Sequence, residues 1–157
     1  MNERVEKFEG IRNEVISVID RFPKERRLDI LFGDWNLKDV VSHLNNWMIH
    51  DINCLKALKE GKEPYWEPEV NEFNRKGIEA RKAMGWEEVY KEFVDLGEEL
   101  LKLYYSLPDN LWNKPIWKGK NETAERFLEE DITHWESEHL GDLKGKLKKI
   151  IGSDVVY

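Results

Sequence analysis

The chain lacks several features whose absence narrows its class. It contains one cysteine, Cys54, which excludes an intramolecular disulfide framework and indicates a reducing compartment. No apolar run approaches the roughly 20 residues that a membrane-spanning helix needs, so no membrane association is expected. The opening residues, MNERVEKFEG, are too acidic and too amphipathic for a signal peptide. We therefore expect a cytoplasmic protein.

The chain is acidic, with a net charge of −7 at pH 7. This charge argues against binding to nucleic acid, and no nucleic-acid-binding signature interrupts the sequence. The short basic run KGKLKK is interpreted as the solvated last turn of a helix, where cations complement the helix dipole. Glutamine is absent whereas glutamate and lysine are abundant, a composition that favours a heat-adapted source with surface ion pairs.

Apolar residues recur at steps of three and four in four stretches, which predicts an all-α protein. The predicted helices cover residues 3–22, 37–60, 89–107 and 123–151, with a short extra helix before the third, interrupted near Gly85. No internal repeat and no strand-like alternation is present. We therefore predict a four-helix bundle that forms a single domain over residues 1–157.

Two histidines lie at the inner faces of the second and fourth predicted helices. His43 borders one apolar stripe and His139 lies within the other. Because bundles build cofactor sites from inward-facing side chains, we predict a site at which both act as metal ligands or His43 acts as a general base. A third group on the side of His139 is needed, and we expect Glu136 or Asp131, as metal ligand or as catalytic orienting carboxylate. The alternative is that both histidines are hydrogen-bonded structural residues.

His134 is close to His139 in the sequence, but the spacing between the two residues argues against a place for His134 in this site. Five residues turn an α-helix by about 500°, which leaves His134 about 140° from His139 and directed toward solvent. Only a π-bulge between them would bring both rings to one site. His134 and Glu138 are therefore interpreted as an exposed i,i+4 pair.

Several aromatic and polar residues are candidates for the walls of a pocket. Trp47, His50 and Cys54 share one edge of the second predicted helix. We predict a pocket contacted by Trp47, His50, Asn74 and Trp135, with core packing as the alternative for the tryptophans. Cys54 is not favoured as a nucleophile because no base is evident within its reach.

Three stretches carry a resemblance to a known family. WNLKDVVSHLNNW resembles the second-helix signature of the DinB-like superfamily, W-x-x-K-D-x-x-x-H-x-x-x-W. EVNEFNRKGIEARKAMGWEEVYKEF, and DITHWESEHL with the upstream GKNETAERFL, resemble segments of its DfsB/ClbS-like branch. The resemblance spans nearly the whole chain. It implies a four-helix bundle with up-down-down-up topology and a homodimer.

The same resemblance implies a metal site. Many members bind a divalent ion through one histidine of helix two and two residues of helix four. Carried over to this chain, those positions fall on His43, on His139 and, for the middle ligand, on Trp135. Because tryptophan cannot ligate, a neighbouring carboxylate or a shifted His134 must replace it, or the metal has been lost.

The resemblance also implies an activity. We expect a hydrolase or thiol-linked transferase that acts on a small electrophilic or xenobiotic molecule, with zinc or nickel as the metal. The alternative hypothesis is a non-catalytic helical bundle that binds a small molecule or dimerises and has lost its metal.

Overall fold

The structure is a computed structural model that describes residues 1–66 and 69–152. Across these residues the chain is all-helical, and an isolated bridge between Phe32 and Trp35 is its sole β-type pairing. The helices are α1 (Asn2–Arg21), α2 (Leu37–Glu60), α3 (Val70–Ala80), α4 (Trp86–Ser106), α5 (Ala124–Thr133), a π-helical segment (His134–Leu140) and α6 (Gly141–Ile151). In the ranges described, no helix is long and apolar enough to cross a membrane. The predicted all-α class and the short helix before the third long one are confirmed.

Contacts divide the chain into two compact units. The first unit consists of Met1–Leu37 together with the chain from Arg126 onward, and the second consists of Lys38–Glu125. The single domain expected over residues 1–157 stays a prediction, and its last five residues lie outside the described part of the chain.

The first unit is organised around the apolar face of α1. Its buried side chains are Val5, Phe8, Ile11, Val15, Val18 and Ile19. Helix α1 packs against the π-helical segment and against α6. Trp135, only 1% exposed, meets the ring of Phe8 edge to face at a centroid distance of 5.2 Å. Trp135 therefore lies in the core, which favours the packing alternative over a role in a pocket wall.

In the second unit, α3 lies close against α2. A Cβ atom added at Gly77 would lie 2.7 Å from side-chain atoms of Asn46, so only glycine permits this approach. Asn46 Nδ2 also donates to the backbone oxygen of Phe73 at 3.1 Å. Because Asn74 follows Phe73, the same contact places the Asn74 side chain against α2.

An ion pair between buried Arg81 and partly buried Glu92 holds the end of α3 against α4. Arg81 Nε and Nη2 donate to the Glu92 carboxylate at 2.6 and 3.2 Å, and Arg81 Nη1 donates to the Gly77 oxygen at 2.8 Å. From α2, Asn45 Nδ2 donates to Glu92 at 2.8 Å and to the Val89 oxygen at 3.1 Å. Since a buried charge is stable only with such partners, these bonds define how α2, α3 and α4 meet.

Gly77→Ala should lower the stability of the protein, although alanine is the better helix former, because its methyl group would collide with Asn46. We expect a loss of about 1–3 kcal/mol, as for other overpacked sites. Gly10→Ala in α1 is the matched control, since its added Cβ meets nothing within 4 Å, and it should gain up to about 1 kcal/mol. Thermal and urea unfolding followed by circular dichroism measure both. Equal gains would contradict the close approach of α3 to α2.

Candidate metal centre

A π-helical segment, His134–Leu140, interrupts the fourth helix predicted from the sequence. It continues α5 and leads directly into α6. Backbone hydrogen bonds in a π-helix join residues five apart, so residues i and i+5 lie about one turn from each other on the same side. The bulge that His134 needed in order to approach His139 is therefore present. The interpretation of His134 as a solvent-directed residue is wrong, because it assumed a regular α-helix.

His134 and His139 are in direct contact. Their Nε2 atoms are 2.8 Å apart and their ring centroids 4.4 Å apart, so one Nε2 donates a hydrogen and the other accepts it. The predicted pair with Glu138 is also present, with 3.4 Å between His134 Nε2 and Glu138 Oε2. Burial lowers the pKa of His134, and the Glu138 carboxylate opposes this shift. Uncharged imidazole, the form that binds metals, is thereby favoured at His134.

His43 is buried in the second unit, with 5% of its surface exposed. Its Nδ1 atom lies 2.9 Å from Asn74 Oδ1. The indole Nε1 of Trp47, one turn further along α2, donates to the same oxygen at 2.7 Å. The predicted pocket residues Trp47 and Asn74 therefore both contribute to the surroundings of His43, Asn74 directly and Trp47 through Asn74.

The three histidines His43, His134 and His139 are a group that could hold a metal ion. One ring nitrogen from each can be chosen so that all three atoms lie within 4.8 Å of one another. Three imidazoles suit zinc, copper, nickel or iron and leave coordination positions open for water or substrate. The three rings therefore lie close enough to hold a metal ion.

Neither predicted carboxylate belongs to this histidine group among the residues described. Glu136 is half exposed, and its Oε1 lies 3.9 Å from Lys7 Nζ, as in an ordinary surface pair. Asp131 is buried on α5, one turn before the π-helical segment. His134, and not Glu136, therefore belongs to the histidine group with His43 and His139. The catalytic role expected for Asp131 stays a prediction.

His50, the remaining histidine, lies in a different environment on α2. It lines a cavity of about 320 Å³ whose other walls are Asn46, Ile49, Asn53, Cys54, Ala57, Pro64, Tyr65 and Phe73. Its Nε2 atom lies 3.8 Å from Cys54 Sγ, so a base is within reach of the thiol. Burial, with a contribution from Asp51, nevertheless raises the pKa of Cys54 to about 12, which keeps the thiol protonated and unreactive.

The spacing of apolar residues in the sequence contains a signal for the π-bulge. The buried positions of the last helical stretch include Leu128, Trp135, Leu140, Leu143 and Leu147. All the steps between them fit a regular α-helix except the step of five from Trp135 to Leu140. The sequence-based prediction assigns His139 to the apolar stripe in place of Leu140, so the step of five residues is not recognised. For the same reason His134 is not predicted to lie beside His139.

Comparisons of the chain with protein-family models, with curated proteins and with solved structures found no match. The capacity of the site to bind a metal is therefore inferred from its own residues. The contact between two histidines in the π-helical segment and the short distances to His43 carry that inference.

Deletion of Ser137 should convert the π-helical segment into a regular α-helix. Ser137 is exposed in the middle of the segment, and its removal reduces the step between the two buried side chains from five to four. His134 and His139 would then be four residues apart and still on one face. We expect a variant with a Tm equal to or above that of the original protein and with its helix content retained, as measured by circular dichroism.

Deletion of Asn13, an exposed residue within regular α1, is the matched control. It should rotate Val15, Val18 and Ile19 by about 100° away from the core and cost several kcal/mol. Comparable loss of stability in the two deletion variants would show that the segment does not behave as an α-helix with one inserted residue.

Proposed function

We propose that this chain is a metal-dependent enzyme of the DinB-like type, with His43, His134 and His139 as the ligands of a divalent ion. The observation that carries the proposal is the three-histidine group, whose ligand nitrogens lie within 4.8 Å of one another. The resemblance of the sequence adds the reaction class, a hydrolase or thiol-linked transferase acting on a small electrophilic or xenobiotic molecule. It also adds a DinB-like four-helix-bundle topology, a homodimer and a cytoplasmic location as parts of the proposal.

The donor set fits zinc or nickel. Zinc binds imidazole nitrogen at roughly 2.0–2.1 Å, so two such nitrogens on a tetrahedral ion are about 3.3 Å apart. The 4.8 Å limit on the three ring nitrogens is of the same order as that separation. The bond between His134 and His139 contains one hydrogen atom that a cation would displace. His134 thus supplies the ligand that Trp135 cannot.

Burial lowers the pKa of His134, which favours its neutral ring, the form that ligates. A divalent ion held by three histidines acts as a Lewis acid and activates water near neutral pH. Asp131, buried on α5, is proposed to orient a reacting group. Together these features suit the polarisation and attack of an electrophilic carbon.

Wild-type protein purified without a histidine tag should bind one zinc or nickel ion per chain in calorimetric titrations. His43→Ala, His134→Ala and His139→Ala should each weaken binding by at least about 100-fold, beyond the 10–100-fold typical of residues that only support a ligand. His50→Ala is the matched control, because His50 lies outside the group, and should bind as wild type does.

Absence of stoichiometric binding in the wild-type protein would eliminate the metal enzyme. Loss of binding in Glu136→Ala with retention in His134→Ala would instead restore the carboxylate as third ligand. Both results are read from the same titrations.

A second candidate function is metal-independent binding of a small molecule. The cavity beside His50 favours it, because a volume of about 320 Å³ with aromatic walls and two asparagine side chains is within the range of ligand pockets. None of the three grouped histidines lines this cavity. The cavity is therefore a binding site that could operate without the ion.

Indole is a suitable probe of this cavity. Its addition should shift amide resonances of residues 46–57 and of Phe73, and Ala57→Phe, which fills part of the cavity, should abolish those shifts. Zinc titrations of Ala57→Phe should match those of wild type. Indole shifts spread over the whole chain would contradict a defined pocket.

A further inference from the structure

The surroundings of His43 determine which of its two nitrogens can bind a metal. Asn74 Oδ1 accepts from Trp47 Nε1 at 2.7 Å and lies 2.9 Å from His43 Nδ1. An indole N–H can only donate, so the Asn74 atom that it meets must be the carbonyl oxygen and not the amide nitrogen. The orientation of the amide is therefore defined by Trp47.

That orientation defines the tautomer of His43. A carbonyl oxygen has no hydrogen to donate, so His43 Nδ1 must carry the hydrogen of the bond. In the neutral imidazole the other nitrogen, Nε2, then carries a lone pair and no hydrogen. Histidine in water favours the opposite tautomer, with the hydrogen on Nε2, which could not ligate through that atom.

The packing of α3 on α2 holds Asn74 in this position. Asn46 Nδ2 donates to the oxygen of Phe73, the preceding residue, and Gly77 allows α3 to approach one turn later. The ring of Phe73 also packs on the Trp47 indole at a centroid distance of 4.3 Å. The acceptor and its second donor are both confined, so Asn74 cannot exchange its amide groups without leaving the Trp47 N–H unpaired.

We propose that Asn74 is a positioning residue that holds His43 as the Nδ1–H tautomer and directs its Nε2 lone pair to the metal. This inference rests on the proposed function for its metal, whereas the tautomer is a property of the metal-free chain. Residues that receive the second N–H of a ligating histidine orient the ring and raise its basicity. Asn74, aligned by Trp47, performs that task from a different helix.

The test is the tautomer of His43 in metal-free protein, read from the ¹⁵N shifts and two-bond couplings of its ring at about pH 8, where imidazole is neutral. Wild type should show hydrogen on Nδ1. Asn74→Ala removes the acceptor and should shift the population toward Nε2–H, whereas Asn74→Asp keeps an acceptor and should restore Nδ1–H. Asn71→Ala, an exposed position one turn earlier on α3, is the matched control and should leave the spectrum unchanged.

Zinc titrations of the same variants supply the second measurement. Asn74→Ala should weaken binding by about 10–100-fold, and Asn74→Asp should recover most of that loss. Hydrogen on Nε2 in the wild type, or an unchanged tautomer and affinity in Asn74→Ala, would overturn the inference. Absence of zinc binding in a wild type with hydrogen on Nδ1 would overturn the metal site while supporting the tautomer assignment. The wild-type spectrum alone decides the tautomer even where Asn74→Ala does not fold.

Discussion

The extra residue between Trp135 and Leu140 is the constraint on which the candidate site depends. A regular helix that buried Trp135 against Phe8 and kept Leu143 and Leu147 inside would point His134 and His139 in different directions. The i→i+5 turn reconciles both demands, because it absorbs one residue and keeps the apolar side chains on their face. Core packing and the contact between His134 and His139 are thus satisfied by the same local change.

The surroundings of His43 depend on polar contacts among α2, α3 and α4. Asn45 and Asn46 are adjacent on α2, yet one binds the Glu92 carboxylate on α4 and the other binds the α3 backbone. Burying these polar groups costs hydration free energy. Their hydrogen bonds offset that cost only in one arrangement of the three helices. They therefore specify where Asn74 lies, and Asn74 specifies the state of His43. The Asn45 and Asn46 side chains therefore contribute more to the orientation of Asn74 than to the stability of the fold.

Two histidines on one helix acquire different chemistry from their neighbours. His43 is buried and hydrogen-bonded through Nδ1 to Asn74. His50 lies two turns along α2, with its Nε2 toward a protonated Cys54 and its ring against an open cavity. The surroundings of His43 and the cavity share α2 and the aromatic side chains of Trp47 and Phe73. The two histidines of α2 therefore lie in separate environments on one helix.

The sequence by itself determined the all-α class, the bounds of α2 and the candidacy of His43 and His139, because these follow from apolar periodicity and local capping. Only the tertiary structure decided that His134 joins them, that Trp135 packs in a core and that Asn74 orients His43. The physical reason is that a helical wheel assumes a constant rotation per residue, which a buried aromatic side chain can override. Contacts such as that of Asn74 with His43, 31 residues apart, arise from helix packing that no local pattern encodes.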